Sequence, residues 1–376
     1  MKNKIIILLI VLISGCSSIP KVAENISLDS LIQKPELNYK TNSLPKVINL
    51  YFHKIEGSPK LPDEVGGFLE NLFFYKNKIN YKPKIILTPL DSRNCINQKE
   101  VSSLKIVFDI GLTGEGFKST SCLQILSKSK TLYVSNKDIG ALNFENSFLI
   151  SRKKERDNLI DYISSNTNIV VIDSIETLDA SIINEYMLSQ GKRVSEQRTY
   201  TNNVSSQSMF SDLLMVNRSK ERLRKLSRRL SIAIAGEPRT RNDIKSFIFS
   251  VGLDDARSLK PALDYLADIE MEVFILNSWR TNTFYKSSDK DLSGTINSDI
   301  PFMMPIIIPE FLKNSKRTRE FAIGYDAFEI MMLKYGNVNS RQFEYKGLTG
   351  KIDVSSKEVE REPYVFKITE EGLKLL

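Results

Sequence analysis

The chain has few of the residues that carry most catalytic and metal-binding chemistry. Of its 376 residues, one is histidine, at position 53, and three are cysteine. A single histidine excludes the HExxH zinc motif and leaves little room for a Ser-His-Asp triad, and neither a GxSxG elbow nor a CxxC pair occurs. We therefore expect no catalytic residue, no metal site and no cofactor.

Two short motifs are shared with enzymes, but neither has the residues that must accompany it. Residues 102–105 (SSLK) and 287–290 (SSDK) both fit the SxxK motif of penicillin-binding enzymes, while the companion KTG motif is missing. The loop GLTGEG at 111–116 lacks the GxGxxG spacing and the lysine of a P-loop. A turn that needs glycine is the better interpretation of that loop.

Long apolar runs are absent except at the N-terminus, where nine apolar residues (5–13) follow Lys2 and Lys4. About 14 Å of helix cannot span a bilayer, so the run is typical of a signal peptide. The small residues before Cys16 match the lipobox of bacterial lipoproteins, in which the thiol receives a diacylglycerol. We predict a signal peptide at 1–15, lipid on Cys16 and a flexible tether over 16–45. The alternative is an ordinary secretory signal with a chance cysteine.

The other two cysteines, Cys95 and Cys122, form an even pair in a chain expected to face an oxidising compartment. A disulfide between them is one prediction, and it would contribute about 3–4 kcal/mol in the chain-entropy model. Two buried free thiols are the alternative.

Positive charge is in slight excess, since the chain has 53 basic residues and 45 acidic ones. The excess suits contact with anionic lipid head groups or cell-wall polymers, and nucleic acid does not suit an exported protein. A basic helix is predicted over 211–230, with Arg224, Arg228 and Arg229 as candidates for a contact ridge. A solvated helix face is the alternative. Five leucines of this helix are expected to face the core: Leu213, Leu214, Leu223, Leu226 and Leu230.

Short apolar segments alternate with amphipathic ones, which predicts α/β architecture with two doubly wound parallel-sheet lobes. The predicted strands are 47–52, 84–87, 104–108, 132–134, 169–172, 247–249 and 273–276. The predicted helices are 64–75, 153–163, 180–190, 211–230 and 254–266.

An ordered series of short motifs lies between residue 145 and the C-terminus. They are the RTRNDI, DARSLKP, DIP, GYDAF and GLTGKI segments at 239–244, 255–261, 299–301, 324–328 and 347–352. The series resembles the LppC-type outer-membrane lipoproteins, which activate class A penicillin-binding proteins. The larger family members carry an N-terminal helical-repeat domain, and we expect no counterpart of it in the short segment before residue 46.

The resemblance implies a type I periplasmic-binding-protein fold over 46–376. It implies a first lobe at about 46–144 and 280–335 and a second lobe at about 145–279 and 336–376. It also implies an outer-membrane, palmitate-bearing regulator of peptidoglycan synthesis and cell shape, with a bifunctional synthase as its partner. The rival is a lipid-anchored receptor for an amino acid, a peptide or a wall fragment. Its cleft candidates, at loops after strands, are Thr113, Gly114 and Ser135.

Overall fold

The computed structural model describes most of the chain from residue 26 onward. The described ranges are 26–33, 43–53, 60–90, 103–110, 131–135, 147–150, 152–164, 168–175, 180–201, 203–234, 236–279, 283–286, 289–336, 342–355 and 358–376. Cys16, Cys95, Cys122, Thr113 and Gly114 lie outside these ranges. The lipidation, the disulfide and two of the cleft candidates therefore stay predictions.

Helices and strands alternate along the described residues as the sequence pattern predicts. The helices are α1 (Leu28–Leu31), α2 (Asp63–Ile79), α3 (Lys153–Asp161), α4 (Ala180–Ser189), α5 (Ser206–Leu213), α6 (Val216–Leu230), α7 (Leu253–Leu266) and α8 (Arg319–Gly336). The strands of one sheet are β1 (Val47–His53), β2 (Lys84–Leu90), β3 (Leu104–Asp109), β4 (Thr131–Ser135), β5 (Ser147–Leu149), β11 (Phe343–Gly347), β12 (Gly350–Val354) and β13 (Glu358–Glu362). The strands of the other are β6 (Asn168–Ser174), β7 (Val194–Tyr200), β8 (Ile244–Ser250), β9 (Glu272–Ile275), β10 (Ile296–Asp299), β14 (Tyr364–Thr369) and β15 (Gly372–Leu375).

Each sheet is parallel at its centre and antiparallel at one edge. In the first sheet the order is β11-β12-β13-β5-β4-β3-β1-β2, and β1 to β5 pair in parallel. In the second sheet the order is β15-β14-β10-β9-β8-β6-β7, and β14 and β15 pair antiparallel. Central strands such as β3 and β4 are buried at every position, because helices cover both faces of a parallel sheet. The two-lobed α/β prediction is confirmed.

Helices α2 and α8 cross at a distance that only glycine permits. A Cβ on Gly67 would lie 2.0 Å from the main-chain oxygen of Phe321, and one on Gly324 would lie 1.8 Å from that of Glu64. The two backbones therefore touch directly. Since Phe321 belongs to the core of the second lobe while Ile323 belongs to that of the first, α8 packs against both lobes.

Three details of the predicted organisation are wrong. Residues 26–33 are not a flexible tether, because Leu28 and Leu31 are buried in the core of the second lobe. The strand at 296–299, expected in the first lobe, pairs within the second sheet, and the strands at 343–362, expected in the second lobe, extend the first sheet. Lobe membership follows long-range strand pairing, which no local pattern encodes.

The third detail concerns the long basic helix predicted over 211–230. It is two helices, α5 and α6, separated at Met215, which has a left-handed backbone with φ of 58°. The break lets Leu213, Leu214 and Val216 all bury their side chains. The main-chain oxygen of Leu214 accepts a hydrogen bond from the Arg241 amide, so a partner from another segment stabilises the turn.

Among the described helices, none combines the length and the apolar character needed to cross a membrane.

Candidate functional site: the hinge and the cleft edge

Polar side chains meet where the parallel strands of the first sheet end. Asp109, the last residue of β3, is buried, and its carboxylate lies 2.9 Å from Nε2 of His53 and 2.5 Å from the Tyr133 hydroxyl. His53 ends β1 and is one-third exposed, so this cluster reaches the surface. Burial and the Asp109 charge both raise the pKa of Tyr133, which keeps its hydroxyl a hydrogen-bond donor.

Ser135, one of the predicted cleft residues, is fully buried at the end of β4. Its Oγ donates a 3.2 Å hydrogen bond to the main-chain oxygen of Asp109 on the neighbouring strand. The hydroxyl thus supports the strand end that presents His53 and Asp109. Sequence reasoning had assigned no role to these two residues.

The hinge between the lobes contains a salt bridge shielded from water. Arg361 on β13, in the first sheet, donates to both carboxylate oxygens of Glu155 on α3, at 2.7 and 3.0 Å. Each side chain is 1% exposed. The helix α3 packs on β10 and β14 of the second sheet, so this pair joins the two lobes. Arg361 also donates to the main-chain oxygen of Thr349, which fixes it within its own lobe.

A second buried salt bridge lies beside the first. Arg319, the first residue of α8, donates to the Asp299 carboxylate at the end of β10, with an N···O distance of 2.6 Å. The same carboxylate accepts from Asn277 at 3.2 Å and from the Ile300 amide at 2.8 Å. Because several donors surround it, the buried charge of Asp299 is compensated.

The indole of Trp279 connects the two salt bridges. The guanidinium carbons of Arg319 and Arg361 each lie 5.7 Å from its ring centroid, within cation–π range. Trp279 follows β9 of the second lobe in sequence but packs against the core of the first. The hinge is therefore a packed cluster of two ion pairs and one aromatic ring.

Arg152, which lies between β5 and α3, also forms hydrogen bonds across the two lobes. Its guanidinium donates to Ser250 Oγ at 3.3 Å and to the main-chain oxygen of Leu276. Both acceptors lie at the carboxyl ends of strands in the second sheet. Arg152 therefore fixes the segment that connects the lobes to the carboxyl ends of β8 and β9 in the second lobe.

Two of the sequence motifs meet at Asp326, inside α8. Its carboxylate accepts hydrogen bonds from the Leu348 amide at 3.0 Å, the Thr349 amide at 2.7 Å and the Thr349 hydroxyl at 2.6 Å. Burial raises the pKa of Asp326 to about 7, although these hydrogen bonds act in the opposite direction. The GYDA segment therefore holds the turn between β11 and β12.

The three arginines of the predicted contact ridge, Arg224, Arg228 and Arg229, are exposed on α6. The leucine stripe beside them is only partly in the core. Leu213 and Leu214 are buried, Leu223 is half-buried, and Leu226 and Leu230 are 42% and 57% exposed. The expectation that all five face the core is wrong, because Leu226 and Leu230 are left exposed on the C-terminal half of α6.

Sequence reasoning missed most of the hinge residues. Asp299 lies in the DIP segment and Asp326 in the GYDA segment, so the motifs marked them without giving a role. Glu155 and Arg361 are 206 residues apart and carry no local signal. In the described part of the chain, no cluster of His, Cys, Asp and Glu side chains is placed to hold a metal ion.

The fold and the hinge define a class: two doubly wound lobes of the type I periplasmic-binding-protein kind. A structure described as "a putative branched-chain amino acid ABC transporter" from Rhodospirillum rubrum is 12% identical, with a TM-score of 0.56 over 89% of this chain and 100% of that chain. An ABC transporter substrate-binding protein from Sphaerobacter thermophilus is 10% identical, with a TM-score of 0.51 over 88% and 96%.

Full-length LpoA from Haemophilus influenzae is also similar in fold, at 13% identity and a TM-score of 0.51. The match covers 90% of this chain but 60% of LpoA, so this chain spans only part of that protein's length. No curated protein sequence matches the chain. Residues 181–367 match the family described as "LppC putative lipoprotein", which is the family that the motifs resemble.

Proposed function

We propose that this chain is a non-catalytic lipoprotein that binds and activates a class A penicillin-binding protein. It acts from the periplasmic face of the outer membrane, held there by lipid on Cys16, and thereby regulates peptidoglycan synthesis and cell shape. The LppC match over 181–367 and the shared fold with LpoA support this proposal.

The observation that carries the proposal is the pair of buried salt bridges at the hinge, Arg361–Glu155 and Arg319–Asp299. Arg361 and Glu155 come from different lobes, so a lobe movement that separated them would leave two buried charges unpaired. Removing one partner of such a pair costs about 3–5 kcal/mol, because the other charge stays buried and unpaired. We infer that the pair holds the two lobes in one arrangement. A molecule held in one shape suits recognition of a protein surface, since little ordering entropy opposes binding.

Activation requires that the chain bind one conformation of the synthase more tightly than another. A regulator shifts a conformational equilibrium only by the difference in its affinities for the two states. The proposal therefore needs contact with the synthase and no chemistry on the regulator.

Affinity capture tests the partner. The mature chain carrying Cys16→Ser and a C-terminal tag is used as bait in detergent-solubilised envelopes, and untagged chain in excess serves as competitor. We expect a class A penicillin-binding protein among the proteins that mass spectrometry finds enriched and that the competitor removes. Enrichment of transporter subunits in its place would contradict the proposal.

A solute receptor is the second candidate, and the cluster of His53, Asp109 and Tyr133 favours it. His53 and Asp109 end parallel strands, where open α/β sheets bind ligands, and Tyr133 contacts Asp109 from the neighbouring strand. A receptor would show a melting temperature that rises with the concentration of an amino acid, a short peptide or a wall fragment. His53→Ala should abolish that rise if the cluster contacts the ligand.

A further inference from the structure

The basic helix α6 projects from the second lobe with little support. Of its 15 residues, all of which the structure describes, only Val216 is buried. In its N-terminal half, Ser219 Oγ accepts a hydrogen bond from the Arg239 amide, and Leu223 lies beside Gly236. The C-terminal half, from Arg224 to Leu230, includes no buried residue.

The charge on α6 is predominantly positive. The helix carries seven exposed basic side chains and one acidic one: Arg218, Lys220, Arg222, Arg224, Lys225, Arg228 and Arg229 against Glu221. Glu221 is paired with Lys225 at 2.7 Å, and both are exposed. This surplus of positive charge is far denser than in the chain as a whole, where 53 basic residues face 45 acidic ones.

An apolar edge accompanies this charge. Leu226, Leu230 and Ile232 are 42%, 57% and 58% exposed, and the leucines lie on one side of the helix. Arginines flanking exposed leucines match a surface that is anionic outside and apolar beneath. A lipid bilayer with anionic head groups has this layering. An acidic groove on a protein would match it only if apolar residues lay beneath its acidic ones.

The lobe that carries α6 lies within a short tether of the predicted lipid anchor. Val216 at the start of α6, and Leu214 just before it, belong to the same hydrophobic core as Leu28 and Leu31 of the N-terminal segment. Ten peptide units separate Ile26 from the predicted lipidation site at Cys16, and they reach at most about 35 Å. A chain anchored at Cys16 thus keeps the lobe that carries α6 close to the bilayer.

We propose that α6 docks on the anionic phospholipid surface of the membrane. Its arginines and lysines contact head-group phosphates, and Leu226, Leu230 and Ile232 enter the interface. This contact orients the second lobe on the membrane, and it is separate from contact with a synthase.

Vesicle co-sedimentation tests this directly. The mature chain carrying Cys16→Ser, which has no acyl chain, is mixed with phosphatidylcholine vesicles with and without phosphatidylglycerol, at low and at high salt. We expect binding only to the anionic vesicles, and release at high salt. Absence of binding to anionic vesicles would overturn the proposal, and it would leave capture of a synthase unaffected.

Two variants and a matched control sharpen the result. Arg224→Glu/Arg228→Glu/Arg229→Glu should weaken binding at least about tenfold, and Leu226→Ser/Leu230→Ser should weaken it several-fold. The control Lys76→Glu/Lys78→Glu/Lys82→Glu changes the net charge equally on exposed residues of the first lobe. Equal losses in the control and in the arginine variant, or full binding by the leucine variant, would contradict docking through α6.

Discussion

Arg361 and Glu155 form a buried salt bridge between the two lobes. Both side chains are almost completely buried, and the guanidinium donates twice to the same carboxylate. Such a pair adds little stability relative to apolar residues of the same size, but removing one partner leaves the other charged and unpaired. The pair therefore acts as a geometric constraint, which is the property that the proposed function uses.

Removing the guanidinium should destabilise the protein strongly. We predict that Arg361→Ala lowers the free energy of unfolding by about 3–5 kcal/mol, because Glu155 stays buried without its partner. Urea unfolding measures the change. The control is Arg198→Ala, whose salt bridge with Glu196 is exposed enough that less than about 1 kcal/mol should be lost. Similar losses in the two variants would refute the assignment of a special role to Arg361.

A buried acid makes stability depend on pH. Burial, with Glu320 and Asp63 nearby, raises the pKa of Glu64 to about 8. Between the ordinary carboxyl range and pH 8 the folded chain keeps a proton that the unfolded chain has lost, so the free energy of unfolding falls as the pH rises through this window. We predict that Glu64→Gln reduces the drop in melting temperature between pH 5 and pH 8.

The matched control for this prediction is Glu185→Gln on the exposed face of α4. It should leave the drop in melting temperature as large as in the unsubstituted chain. A Glu64→Gln variant with an unchanged drop would show that this carboxyl group does not keep its proton in the folded state.

At the scale of elements, the crossing of α2 and α8 depends on which face of α2 each glycine occupies. Gly66 and Gly67 are neighbours, yet a Cβ on Gly66 would meet nothing within 4 Å, while one on Gly67 would overlap the backbone of α8. The adjacent glycines therefore provide a test and its control within one turn of helix.

We predict that Gly67→Ala and Gly324→Ala each lower the free energy of unfolding by about 3 kcal/mol, because the helices must move apart. Gly66→Ala should be neutral or stabilising by up to about 1 kcal/mol, since alanine favours helix more than glycine does. Chemical unfolding of the three variants gives the comparison. A loss from Gly66→Ala as large as that from Gly67→Ala would be inconsistent with the close crossing.

Apolar periodicity predicted most of the described helices and central strands, because a buried face requires apolar residues at regular spacing along the sequence. The strand β7 was missed, since the sequence VSEQRTY at the sheet edge is mostly polar and partly exposed. The break at Met215 was missed as well, because a left-handed residue there is stabilised by the distant Arg241 amide. Periodicity also predicted buried leucines on α6, although a leucine stripe does not say whether another element covers it.

At the scale of the whole molecule, alternation of strands and helices was enough to predict two α/β lobes. It could not assign the strands after residue 290 to their sheets, because that choice depends on where α8 brings the chain back. The hinge residues could not be predicted from the sequence either. Its salt bridges join residues from distant parts of the chain, and the sequence marks only Asp299 through its motif.

The most direct test of the central claim measures glycan-strand synthesis by a purified class A penicillin-binding protein from the same cell, with lipid II as substrate. The mature chain carrying Cys16→Ser is titrated into the assay, and heat-denatured chain is the control. The proposed function predicts a synthesis rate that rises and saturates with the folded chain. An unchanged rate at concentrations well above those that capture the synthase would contradict it.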